Sequence, residues 1–220
     1  TGVHASAQLA HFDLPVVIPA RGMLKSLNSR LPEAIRIRRV DLVRPTFHAQ
    51  KFARAKLYSY RIRWMDCPPV SPWTILRSAI LRRPADLRDL RTALGRLQGI
   101  HDWASFSVNN PEIINTRRRI FSTGIKESRH GIRLDFKGDG FLRYQVRRMV
   151  GALLQVAWRH HDLEWFENLT ARPAPGSAVF NAPPRGLTLE KIYLRTPSVG
   201  GLPEPIGERA MVHSPALERD

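Results

Sequence analysis

A few side chains in this 220-residue chain combine type and spacing in a way that could support chemistry. Tyr58, Tyr60, Ile62 and Trp64 alternate with Leu57, Ser59, Arg61 and Arg63. That is the period of a strand, so the two tyrosines share one face. A tyrosine so placed offers a ring for stacking and a phenol for proton transfer. The same spacing also describes an ordinary half-buried sheet aromatic, and Tyr60 fits a core position better than Tyr58 does. Further along, Leu142, Val146, Met149, Val150, Leu153 and Ala157 fall on one stripe of a helix turning about 100° per residue. Arg143 and Arg147 sit at the stripe's edge. Arg148, Gln155 and Arg159 lie opposite, on an expected solvated face. A guanidinium at the edge of an apolar stripe is partly desolvated. It pairs with a carboxylate of a site, pairs with a structural carboxylate, or reaches out to water.

Other combinations promise less. His101 and Asp102 are neighbours, so they do not face each other as a dyad, and Asp102 suits a turn or cap. His4 and His48 suit hydrogen-bonded structural roles. Arg117, Arg118 and Arg119 offer phosphate contacts or a solvated charge run. The eight histidines do not fall at ligand spacing with one another or with Cys67, which argues against zinc. No Gly-rich phosphate loop and no nucleophile elbow is present. No cofactor and no metal are expected.

Composition narrows the partners. Lys and Arg number 35 against 19 Asp and Glu, a formal charge of +16. Such an excess suits a polyanion, because cations gain affinity by releasing counterions from phosphates. Most of the cations are Arg, which pairs bidentately with phosphate. No apolar run approaches a membrane span, and no basic amphipathic helix stands apart for a membrane surface. A single cysteine, Cys67, permits no internal disulfide and favours a reducing compartment, so a cytoplasmic location is expected.

The elements that must position these groups follow from periodicity. Strands are predicted over 5–12, 34–43, 56–64, 118–125, 131–137 and 188–194, the second with a basic outer face from Arg36 and Arg38. Helices are predicted over 21–31, from Leu87 to Leu97 behind the cap candidate Asp86, over 141–159, and after Asp162. The fold class is α+β, with helices packed on an antiparallel or mixed sheet. Residues 44–55 form a junction. Residues 196–220, rich in Pro and Gly and without periodicity, read as a loose tail.

Several segments, in order, resemble one family. The chain opens Thr1-Gly2-Val3-His4-Ala5. Phe47-His48-Ala49, Ala55-Lys56-Leu57-Tyr58-Ser59-Tyr60 and His101-Asp102-Trp103-Ala104-Ser105-Phe106 follow. Thr116, Arg118 and Ile120 come next, then Phe141-Leu142 with Val146-Arg147-Arg148-Met149-Val150-Gly151. Ala182-Pro183-Pro184-Arg185-Gly186-Leu187 closes the series. Together these resemble tRNA pseudouridine synthases of the TruA type, over residue 1 to about 195. The resemblance implies two similar α/β units. Residues 1–45 would be the remainder of an incomplete first domain, and 46–195 the second.

It implies isomerisation of uridine to pseudouridine in the anticodon arm of tRNA by a homodimer without metal or cofactor. A carboxylate attacks the nucleoside, the base turns and rejoins through carbon 5, and the carbon-5 proton leaves. By resemblance Tyr58 packs on the uracil and assists proton removal, and Arg147 faces the catalytic Asp. Gly2, Val3, His4, Tyr58, Arg143 and Leu187 contact the substrate. Arg36, Arg38, Arg117, Arg118 and Arg148 are the expected RNA contacts. A non-catalytic RNA-binding protein, or a tRNA folding helper on the same scaffold, is the alternative.

The family motif puts its Asp immediately ahead of Thr1. The 220 residues alone are therefore expected to release no tritium from carbon-5-labelled uridine in tRNA. Turnover by this polypeptide would overturn the requirement for that carboxylate.

Overall fold

The computed structural model describes residues 2–69, 71–84, 87–108 and 115–195. The predicted tail over 196–220 and the cap candidate Asp86 lie outside them. The chain divides into two compact units. One comprises Thr1–Leu9 with Ala53–Tyr193, and the other Ala10–Phe52 with Leu194–Asp220.

The first unit is a mixed sheet packed against helices. Its strands are β1 (His4–Ala5), β2 (Ala53–Trp64), β3 (Ala79–Leu81), β4 (Gly99–Asp102), β5 (Arg117–Ser128), β6 (Gly131–Gly138) and β7 (Leu187–Leu194). The order is β1-β7-β2-β6-β5-β4, with β3 also paired to β2. The β1–β7 and β2–β3 pairs are parallel, while β2–β6, β5–β6 and β4–β5 are antiparallel. The predicted alternation in β2 holds, since Tyr60, Ile62 and Trp64 are buried. They oppose Leu134, Ile132 and the turn before it, with Tyr58 opposite Phe136. A bulge between Ile120 and Ser122 changes the parity of β5. Ile120 is buried and Ile125 packs on the core, so Phe121 and Ser122 both point away from it.

Helices α3 (Arg88–Arg96), α4 (Gln145–Ala157) and α5 (Leu163–Ala171) cover the inner face, and α2 (Pro72–Leu76) is a short helix between β2 and β3. Helix α3 buries Leu90, Ala93 and Leu94. Asp162 caps α5, its carboxylate accepting from the Trp165 amide, as its position predicts. Helix α4 departs from expectation. It is buried on nearly all sides: of the predicted solvated face, Gln155 is buried, Arg148 is half-buried, and Arg159, beyond the end of α4, is exposed. Gln155 satisfies its amide by pairing with the His160 ring at 3.0 Å.

The sheet's other face carries a polar network. Arg61 reaches Glu190 at 2.7 Å, Ser59 donates to the same carboxylate at 2.5 Å, and Arg133 pairs with Asp135 at 2.7 Å. Burial pushes the Glu190 carboxyl up, but hydrogen bonds from Ser59 and Arg61 and the charges of Arg61 and Arg133 prevail and hold it low. That stabilisation is present at neutral pH and is lost as pH falls through the depressed value.

The second unit contains α1 (Ala20–Arg30), where a helix is predicted. The strand predicted over 34–43 is not formed, and Ile35 is exposed. No partner strand lies beside it among the described residues. Instead, both backbone groups of Ile37 pair with the Asn28 side-chain amide at 2.9 Å, a single rung in place of a ladder. The strand predicted over 5–12 shrinks to His4–Ala5, which pairs with Thr188 and Leu189 of β7.

Gly151 measures how tightly α4 is seated. A Cβ at that position would lie 1.9 Å from the Phe180 carbonyl oxygen. Gly151→Ala is expected to destabilise the protein by about 1–3 kcal/mol or more through overpacking. The measurement is the urea midpoint, with Gly95→Ala on α3 as the open-space control. Equal midpoints for the two variants would contradict the close seating.

Candidate functional site

The sequence from Ala178 to Thr188 gathers four of the predicted site residues. Its amide and carbonyl at Ala182 pair with Arg147 in both directions. Arg147 accepts from the Ala182 amide at 3.1 Å and donates from Nε to the Ala182 carbonyl at 2.6 Å. One residue on, the Tyr60 hydroxyl donates to the Pro183 carbonyl at 2.8 Å. Gly186 then lies against the Tyr60 ring, where a Cβ would come within 2.6 Å of Cζ. Leu187 is buried and opens β7, and Thr188 pairs with His4. Gly2 has φ +80°, and an added Cβ would meet Pro184 at 3.1 Å.

Gly2, His4, Leu187 and Arg147 are thus tied to a single stretch of backbone. Val3 is exposed at 44%. The His4 ring is hydrogen-bonded to the Leu76 carbonyl at 3.0 Å, and His48 accepts from the Gln50 amide at 3.2 Å. Both match the structural roles expected of them. Asp102 accepts from the Ala104 amide and the Thr116 hydroxyl, the turn role expected of it.

Tyr58 precedes Tyr60 on the inner face of β2 and is half-buried. Its ring meets Phe141 edge-on at 5.3 Å between centroids. Burial raises the pKa of its phenol, so the hydroxyl is neutral at physiological pH. Tyr60 is fully buried, and burial raises its phenol too, against the opposing charges of Arg147 and Arg185.

Arg147 keeps its outer nitrogens available. Its Nε is held by Ala182, and among the described residues no carboxylate lies within ion-pair distance. Its guanidinium lies 5.4 Å from the Tyr144 ring centroid, and that of the exposed Arg143 lies 5.2 Å from the same ring. Tyr144 has φ 66°, a left-handed backbone that costs a non-glycine residue about 1–2 kcal/mol. Sequence reasoning missed Tyr144, since nothing about a tyrosine in that position signals a left-handed turn. It also missed the clasp at Ala182 and Pro183, whose spacing was visible only as part of a motif.

The predicted RNA contacts do not form one group. Arg117 is exposed on β5. Arg118 is half-buried, its guanidinium held by the carbonyls of Asn115 and Arg117 at 2.9 and 2.7 Å. Arg36 and Arg38 are exposed in the second unit, where Arg36 lines a hollow of about 410 Å³ with Arg21, Lys25 and Asn28. Arg148 is not on a wet face as expected. It donates to the Ser107 carbonyl at 2.5 Å, its Nε is buried with no partner, and burial lowers its pKa. Ser107 and Gly176 close over that side of α4. Among the described residues no cluster of three metal-ligating side chains occurs, and no helix is long and apolar enough to cross a membrane.

Arg148 therefore belongs to the packing of α4. Arg148→Ala is expected to lower stability by about 1–3 kcal/mol, whereas Arg143→Ala, at an exposed position, should stay within about 0.5 kcal/mol of the parent. Urea denaturation of the two variants makes the comparison. A loss for Arg148→Ala as small as that for Arg143→Ala would return Arg148 to the surface.

Comparison with known proteins fits this arrangement. Residues 93–193 match the family model described as tRNA pseudouridine synthase. The chain is 34% identical over 198 residues to tRNA pseudouridine synthase A of Levilactobacillus brevis, covering 87% of this chain and 72% of that protein. It is 35% identical to tRNA pseudouridine synthase A 1 of Protochlamydia amoebophila, over 87% of this chain and 75% of the relative. It is 33% identical to the Lacticaseibacillus casei tRNA pseudouridine synthase A, over 88% and 78%. With identity at this level spread across most of both chains, the protein belongs to the tRNA pseudouridine synthase A family.

Proposed function

We propose that the protein isomerises uridine to pseudouridine in the anticodon arm of tRNA, with Tyr58 and Arg147 as its catalytic residues in this chain. The observation that carries the reading is the Arg147 clasp. Its Nε is fixed by the Ala182 carbonyl while its outer nitrogens face no carboxylate among the described residues. A guanidinium held by one edge and open at the other is preorganised for an incoming carboxylate. The motif's Asp, one position ahead of Thr1, fills that part. It attacks the nucleoside as the glycosidic bond breaks; the base turns and rejoins through carbon 5 as the bond to the carboxylate is released, and the carbon-5 proton then leaves.

Tyr58 packs its ring on the uracil. Because its phenol is kept neutral by burial, the hydroxyl serves as a hydrogen-bonding partner in the loss of the carbon-5 proton and does not act as a standing phenolate. Gly2, Val3, His4, Arg143 and Leu187 border the base. Arg36, Arg38, Arg117 and Arg118 meet phosphates, and the formal charge of +16 supports a polyanionic partner. Arg148, held by Ser107, has no such support. The reading also includes a second α/β unit like the first, a homodimer, a cytoplasmic setting, and no metal or cofactor. A non-catalytic RNA-binding role on the same scaffold is the second reading. It draws on the same lack of a carboxylate near Arg147 among the described residues.

The two readings separate in a polypeptide carrying the Arg-Thr-Asp of the motif ahead of Thr1. Tritium release from carbon-5-labelled tRNA is expected there, and its absence would favour the RNA-binding role. In that polypeptide Tyr58→Phe should keep tRNA affinity and lower the rate, since the ring survives and the hydroxyl does not. Arg147→Ala should nearly abolish turnover. Normal rates for both Tyr58→Phe and Tyr58→Ala would reduce Tyr58 to a sheet residue.

A further inference from the structure

The sheet face opposite α3, α4 and α5 carries an exposed aromatic that the proposed reaction does not use. Phe121 is 41% exposed and Ile100, on the neighbouring β4, is 56% exposed. Phe121 follows the buried Ile120 and points outward, and the bulge between Ile120 and Ser122 leaves Ser122 outward beside it. Arg119, two residues earlier on β5, lays its guanidinium 5.6 Å from the Phe121 ring centroid. Ile100 is the cross-strand partner of Arg119, so it borders the pair. Arg117 is exposed on the same side of β5, and on β6 Lys137 stands opposite Ser122. Neither the Arg117 nor the Arg119 side chain has an acidic partner among the described residues. Asp102, the cross-strand partner of Arg117, is engaged by the Ala104 amide and the Thr116 hydroxyl, and Asp139 by the Arg119 amide at 3.0 Å.

Large apolar groups left in water beside unpaired cations are unusual for a solvated surface. Two copies of such a face would repel. A polyanion with flat apolar rings would not. Aromatic rings and guanidinium planes on an open sheet stack unpaired bases, and neighbouring cations take the phosphates. Seating Arg119 on Phe121 also limits its freedom before any ligand arrives.

We infer that Phe121, Arg119, Arg117 and Ile100 form a second RNA contact, which holds an unpaired nucleotide of the bound RNA away from the reacting base. This rests on the reading that the chain binds tRNA. It adds Phe121, Arg119 and Ile100 to Arg117, which is already among the proposed phosphate contacts, as a base-stacking site apart from the proposed catalytic residues.

The test titrates the 220-residue chain with tRNA, with a labelled oligouridylate and with an RNA duplex of the same length, by fluorescence anisotropy. Phe121→Ala should weaken oligouridylate binding about tenfold or more, a loss within the range for one base stack. It should change duplex binding far less. Phe121→Trp should bind at least as tightly as the parent, and Phe121→Leu should behave like Phe121→Ala. Melting temperatures should agree among the three variants, because the ring is exposed. Unchanged oligouridylate binding by Phe121→Ala overturns the inference. Equal loss in Phe121→Trp and Phe121→Ala does the same, as does a parent that binds tRNA but no oligouridylate. A shift in sedimentation of Phe121→Ala from dimer to monomer, with RNA binding unaltered, would assign the patch to a second copy and also overturn it. A parent that binds no RNA of any kind sinks the proposed function itself.

Discussion

Contact between α4 and the backbone that leads into β7 is the constraint on which the rest of the first unit hangs. Two positions without side chains permit it. At Gly151 the helix meets the Phe180 carbonyl, and at Gly186 the chain meets the Tyr60 ring. Only when both surfaces touch can Ala182 exchange hydrogen bonds with Arg147 and Pro183 accept from Tyr60. A methyl group at either glycine would push backbone away from backbone or ring, where no flexible side chain can yield. The polar and apolar terms therefore act at the same place. Burial of α4 brings the carbonyls within reach, and the carbonyls orient the guanidinium and the phenol. Neither operates at a distance.

Much of the scaffold was legible because its periodicities are strong. The two-residue repeat from Tyr58 to Trp64 and the leucines from Leu87 to Leu97 each report one buried face, and both faces are buried. Helix α4 misled for a physical reason. A helix covered on nearly all sides needs no apolar stripe where its polar groups find partners, as Gln155 Oε1 does at the His160 ring and one outer nitrogen of Arg148 does at Ser107, though Arg148 Nε is buried without one. A reading that equates polar with wet cannot see this. The run from Ile35 to Arg38 failed in the opposite sense. Its alternation suits a strand, but a strand also needs a neighbour, and sequence alternation carries no information about neighbours. Parallel pairing of β1 with β7 was invisible for the same reason.

The site was legible as chemistry and much less so as geometry. Tyr58 and Arg147 stand out through family resemblance and through their place beside apolar residues. The clasp that positions Arg147 is made of main-chain atoms, which any residue supplies, so no side-chain pattern announces it. Tyr144 is hidden differently. Its left-handed backbone is of the kind usually taken by Gly or Asn, and here it belongs to a ring flanked by Arg143 and Arg147.

The two-residue ladder between β1 and β7 has a consequence for how the molecule is made. His4 pairs with Thr188, so the Gly2-Val3-His4 motif is held by β7, the last strand among the described residues. Contacts between residues so far apart in sequence close the longest loops and reward folding last. On the ribosome, Gly2, Val3 and His4 are made well before Thr188 and wait, without their sheet partner, until β7 follows. The interior of β2, β5 and β6 can pair and bury its apolar face in the meantime. Assembly of the site is thereby deferred until the rest of its unit is in place, and a prematurely terminated chain lacks the strand that seats this motif.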